Sequence, residues 1–161
     1  MASMFDVSEV VQVAVNDEKT GVAFYTALAA KAKDPALRAA FAGLANQERF
    51  HQKRFEVMLK DLGDYKPPEQ YSDEYVTYVN ALTGDRAFPD EAGAVKAANK
   101  CRTDLDALQV ALEMERDTLV LMHELRKMVG DKDRILVDEL IREEQQHVAD
   151  LAAAKKRLAG K

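Results

Sequence analysis

The chain writes the pattern Glu-x-x-His twice, as Glu48 to His51 and as Glu144 to His147. It has three histidines in all, so two of the three sit three residues after a glutamate. On an α-helix, positions i and i+3 share a face, and each pair therefore aims a carboxylate and an imidazole the same way. One such pair reads as a solvated surface pair. Here a further glutamate precedes each copy, Glu18 the first and Glu115 the second.

The repeat extends beyond these residues. Asp17 to Val22 aligns with Met114 to Leu119, and the step from the upstream glutamate to the paired one is 30 positions in one half and 29 in the other. Two copies of one helical hairpin account for this. Only 7 glycines and 4 prolines in 161 residues, with abundant Ala, Leu, Glu, Lys and Arg, favour an all-α chain.

The periodicity predicts a first helix from about Ser8 to Lys33, with Val7, Val11, Ala14, Glu18, Val22, Tyr25 and Ala29 along one face. Asp34 then caps a second helix that opens on Pro35 and runs to Leu62. Its inward line is Leu37, Phe41, Leu44, Glu48, His51, Phe55 and Met58. From Gly63 to about Ala98 the pattern loosens at Gly63-Asp64, Pro67-Pro68, Gly84-Asp85 and Pro89-Asp90, which predicts a long connection. Short helices are expected inside it, one over Asp73 to Leu82 capped by Ser72, another from Asp90 to Ala98. Tyr65, Tyr71, Tyr75 and Tyr78 lie there and are expected to cover bundle edges. A third helix follows from Lys100 or Asp104 to Val129, facing inward with Leu105, Leu108, Leu112, Glu115, Leu119, Met122 and Leu125. Gly130-Asp131 breaks it. The fourth runs from about Lys132 to Leu158 along Val137, Leu140, Glu144, His147, Leu151, Ala154 and Leu158.

Spacing to the turns decides whether the four glutamates can meet. Glu18 and Glu48 lie 16 and 14 residues either side of Asp34; Glu115 and Glu144 lie 16 and 13 either side of Asp131. At about 1.5 Å per residue, all four stand roughly 20 to 24 Å from their turns. Two such hairpins packed face to face make a four-helix bundle with four carboxylates and two imidazoles at mid-height. A connection as long as 63–98 can span about 40 Å, so the second and third long helices can run parallel. Buried carboxylates cost several kcal/mol each unless protonated or paired with cations. No lysine or arginine falls on the inward lines, whereas two divalent cations would balance four glutamates. The carboxylate and imidazole mixture suits iron or manganese better than thiolate-rich zinc chemistry.

Composition excludes other classes. A net charge of −5 argues against a nucleic-acid binder. No apolar run of 18 residues suggests a membrane span, and the first residues lack the regions of a signal peptide. Cys101 is the single cysteine, which rules out an intrachain disulfide and fits a reducing cytoplasm. His123, Glu113 and Glu143 are expected at the solvated surface.

This pattern resembles the ferritin-like di-iron carboxylate proteins, in which two helices each give one Glu and two give Glu-x-x-His. More narrowly, it is similar to the rubrerythrin group without its rubredoxin domain. The resemblance implies a single ferritin-like domain over 1–161, with hairpins at about 8–62 and 100–158 and a crossover at 63–99. It implies Glu18 and Glu115 as terminal ligands, Glu48 and Glu144 as bridging ligands, and His51 and His147 as terminal nitrogen ligands of two iron ions. Tyr25 matches a tyrosine that rubrerythrins place beside the metals. Two departures stand out: one cysteine cannot supply the family's four-cysteine iron site, and Thr118 stands where the family carries a second third-helix glutamate. The expected function is redox chemistry with peroxide or dioxygen, electrons coming from a separate donor protein. Ferrous iron oxidation for storage and non-catalytic metal or oxygen sensing are the alternatives, and a homodimer is left open.

Overall fold

The computed structural model describes residues 7–63, 71–84, 86 and 88–160. Met1 to Asp6, Asp64, Tyr65, Pro67, Pro68 and Asp85 lie outside the described residues, and with them the sequence expectations that fall there. Six helices occur in the order α1 (Val7–Lys31), α2 (Pro35–Leu62), α3 (Asp73–Gly84), α4 (Glu91–Lys100), α5 (Asp104–Met128) and α6 (Asp131–Ala159). The four long ones form the bundle, and α3 and α4 lie within the crossover.

Local chemistry sets the ends. Asp34 accepts a hydrogen bond from Leu37 N at 3.0 Å, with Pro35 in the first turn, so α1 stops at Lys31 and α2 starts four residues later. Gly63 ends α2 with φ of +49°, a left-handed conformation that side chains disfavour. Ser72 and Asp90 cap α3 and α4 by accepting from Tyr75 N and Gly93 N. A capping box that the sequence reading did not identify starts α5: Thr103 accepts from Asp106 N, and Asp106 returns the bond to Thr103 N. The Lys31 ammonium donates to the carbonyls of Ala98, Asn99 and Cys101, which closes the C-terminus of α4 against α1.

Contacts at one end of the bundle fix the topology. The amides of Lys33 and Asp34 donate to the Asp104 carboxylate at 2.9–3.2 Å, and Arg157 donates to Asp34 at 3.0 and 3.1 Å. The turn between α1 and α2, the start of α5 and the end of α6 therefore meet. Helices α2 and α5 start there together and run parallel, which is why the crossover must carry the chain back along the bundle's length.

Two apolar clusters fill the interior, each drawing on all four long helices. Phe24, Leu28, Phe41, Leu108, Leu112 and Leu151 are among the residues of the first; Val11, Phe55, Met58, Leu121, Leu125 and Leu140 belong to the second. Each fully buried large side chain contributes about 1.5–3 kcal/mol. Between the clusters lies a polar layer. Two details differ from the sequence expectations, and a third concerns the crossover tyrosines. Leu105 is exposed and Leu119 only half-buried, because the α5 interface turns toward Ala107, Ala111 and Leu121. Helix α1 is buried on more than one face, since α4 covers its outer side and Phe88 packs 5.0 Å from the Phe24 ring. Tyr71, Tyr75 and Tyr78 form a run of adjacent rings, and Tyr75 donates to the buried Glu124 at 2.6 Å.

Candidate metal centre

The polar layer consists of Glu18 from α1, Glu48 and His51 from α2, Glu115 from α5, and Glu144 and His147 from α6. All six are buried, none more than 3% exposed. The helical step of three puts each His one turn past its Glu, and the matched distances to the turns bring the four helices into register at this height. Glu18, Glu48, His51 and Glu144 each place one potential ligand atom within 4.8 Å of the others. Glu48, Glu115, Glu144 and His147 do the same. Glu48 and Glu144 belong to both groups.

Both imidazoles turn Nδ1 inward. His51 Nδ1 lies 2.7 Å from Glu144, 3.8 Å from Glu18 and 4.0 Å from Glu48. His147 Nδ1 lies 2.8 Å from Glu144, 3.4 Å from Glu48 and 3.7 Å from Glu115. The rings stack with centroids 5.6 Å apart. These approaches are close yet misaligned for hydrogen bonding. Glu18 Oε1, Glu48 Oε1, both Glu144 oxygens and both Nδ1 atoms are buried without a hydrogen-bond partner.

Orphaned buried polar atoms cost about 1–3 kcal/mol each, more when charged. Converging on one small volume, they fit cations. The electrostatics agree. Burial, then the neighbouring carboxylates, raise the Glu18 and Glu115 carboxyls well above their usual range, and burial also raises Glu48. Burial would raise Glu144 too, but the two imidazoles beside it bring it below the usual range. Burial works against the His147 cation, yet Glu115 and Glu144 push that ring up to about 11. Without metal the layer gathers protons where cations would stand. Four carboxylates and two imidazoles with no thiolate form a donor set suited to iron or manganese.

Tyr25 is fully buried, stacks 6.0 Å from Phe41, and donates its hydroxyl to Glu115 Oε1. Burial and then Glu115 raise its phenol well above the ordinary value. Two further residues shape the layer without having been identified from the sequence. A Cβ on Gly21 would sit 3.2 Å from Glu48 Cγ, so the bare backbone there leaves room for that side chain. Glu143 is half-exposed, but its Oε2 lies 2.7 Å from His51 Nε2. Its position beside Glu144 was the only signal, and a carboxylate on an outer face ordinarily reads as solvated.

The remaining candidates fall elsewhere. His123 and Glu113 are exposed. Cys101 is buried with Sγ 3.4 Å from Ala97 O, and burial raises its thiol above the ordinary value, which disfavours the thiolate. Thr118 lines a small recess between α1 and α5 with Asp17, Thr20 and Arg86. The Arg86–Asp17 ion pair closes that recess, and burial raises Asp17 to about 6 against the pull of Arg86.

A bundle of two hairpins joined by a long crossover, with this layer at mid-height, defines a ferritin-like fold. The rubrerythrin family model matches residues 9–155, and the chain belongs to the rubrerythrin family. Among solved structures, a chain from Thermotoga maritima is similar at 23% identity and a TM-score of 0.70, covering 97% of this chain and 98% of that one. Its description as a ferritin-like diiron-carboxylate protein is itself provisional. A protein from Pyrococcus furiosus described only as hypothetical is similar at 20% identity and a TM-score of 0.68, covering 97% and 92%. No curated protein matches the sequence.

Proposed function

We propose that the polar layer holds two iron ions and that the protein uses them to reduce peroxide or dioxygen, with electrons from a separate donor protein. The observation that carries this reading is the pair of four-residue groups sharing Glu48 and Glu144. Glu18 and His51 would hold one ion, Glu115 and His147 the other, and the two shared carboxylates would lie between them. A reduced pair supplies two electrons, the number that takes peroxide to water.

The chain's own residues set the conditions for that chemistry. Two apolar clusters keep bulk water from the layer on both sides, which strengthens every electrostatic contact inside it. The Tyr25 hydroxyl orients Glu115 and holds a proton one hydrogen bond from the ligand atoms. A four-thiolate iron centre cannot be built from one cysteine, so electrons must come from elsewhere.

Chelator-stripped protein titrated anaerobically with ferrous iron should bind about two ions per chain. One equivalent of peroxide should then oxidise both. Binding of one ion or none by a folded chain would contradict the dinuclear reading. Two ions that peroxide and dioxygen leave ferrous would contradict the redox role.

A further inference from the structure

The two halves of the layer copy each other in their ligand residues but not in what stands behind them. His51 Nε2 faces the Glu143 carboxylate at 2.7 Å. Arg54 holds that carboxylate at 3.3 Å and also pairs with Glu139. His147 Nε2 is equally buried, and among the described residues it has no hydrogen-bond partner. The repeat explains the difference. Gln47 precedes Glu48 as Glu143 precedes Glu144, and Asp150 follows His147 as Arg54 follows His51. One half therefore has an anion backed by a cation where the other has an amide and a second anion.

The carboxylates differ in the same sense. Tyr25 donates a hydrogen bond to Glu115. Its counterpart in the repeat is Met122, which has no hydrogen to donate, and Glu18 Oε1 remains unpartnered. A hydrogen bond into a carboxylate draws charge from it and weakens it as a ligand. A histidine that ligates through Nδ1 carries its proton on Nε2, and a carboxylate accepting that proton fixes the ring and makes Nδ1 a better donor.

Resting on the dinuclear reading above, we propose that the centre binds its two ions unequally, the Glu18–His51 half the more tightly, and that Glu143 is the positioning residue that sets this order. Loss of such an outer partner typically weakens metal affinity by about 10- to 100-fold.

Cobalt(II) titration, followed by its visible absorption and by calorimetry, tests this on the full chain. Wild type should show two events with dissociation constants at least about tenfold apart. Glu143→Gln should weaken the tighter event by about tenfold or more, leave the weaker one in place, and bring the two together. Glu143 is half-exposed, so the variant should fold, as circular dichroism will verify. Glu139→Gln removes the same charge from the same face without touching His51, and should keep the wild-type separation. His147→Ala should keep the tighter event. Indistinguishable events in wild type, equal weakening of both by Glu143→Gln, or a Glu139→Gln effect as large as that of Glu143→Gln would overturn the inference and leave the dinuclear reading standing. A wild-type chain that binds fewer than two cobalt ions would overturn both.

Discussion

Gly21 illustrates how a single position trades helix stability for the site. Glycine inside a helix costs about 1 kcal/mol relative to alanine, and the sequence accepts that cost where a methyl group would press on Glu48. We expect Gly21→Ala to leave the metal-free chain within about 1 kcal/mol of wild type while lowering ferrous affinity. Melting in chelator beside a ferrous titration would check both halves of this statement. The protonated carboxyls give a second expectation. Glu18, Glu48 and Glu115 lie above their ordinary value of 4.5 in the folded chain, so their contribution to metal-free stability is greatest at low pH and is lost as pH rises past that value. Glu144, held below that value, has the opposite sign: its contribution is present in full above 4.5 and is lost only as pH falls below it. Metal must displace these protons and those on the imidazoles, so the gain in melting temperature on adding metal should grow from pH 5.5 to pH 7.5. A gain independent of pH would show that protons and metal do not compete.

At the scale of elements, the ends of helices were readable where the signal was local. Asp34-Pro35 fixed the first turn, and Ser72 and Asp90 marked the crossover helices, because each caps a backbone amide three residues on. The inward line of α5 was read less well. Leu105 and Leu119 share the helical period of Leu112 and Glu115, but periodicity defines a stripe, while its edges depend on which neighbours pack against it. Glu143 escaped for the same reason: its meaning lies in His51, 92 residues away on another helix. Asp34 joins several elements at once, capping α2 and accepting from Arg157 of α6. Asp34→Ala should destabilise the chain by about 1–2 kcal/mol and lower its melting temperature by roughly 2–4 °C per kcal/mol, with ferrous stoichiometry unchanged because the layer is remote from that turn.

For the whole molecule, the repeat made the convergence of six side chains legible, since equal distances to the turns place them at one height whatever the crossover does. What stands behind them was not legible, because the two halves have diverged outside these six positions, as Gln47 against Glu143 and Met122 against Tyr25 show. The layer separates two apolar clusters and weakens the metal-free bundle at its middle. Metal should therefore stabilise the fold, by about 2.7 kcal/mol at a hundredfold excess over its dissociation constant. Glu48→Ala or Glu144→Ala should remove that gain. In the metal-free chain Glu48→Ala should cost little, since burial already raises that carboxyl, whereas Glu144→Ala should destabilise, because it takes from the His51 and His147 rings the carboxylate they hold low.

The most direct test of the central claim is a crystal structure of the iron-loaded protein with anomalous scattering recorded at the iron edge. Two peaks are expected within the polar layer, one against Glu18 and His51, the other against Glu115 and His147, with Glu48 and Glu144 touching both. A single peak, or iron bound outside the layer, would contradict the account.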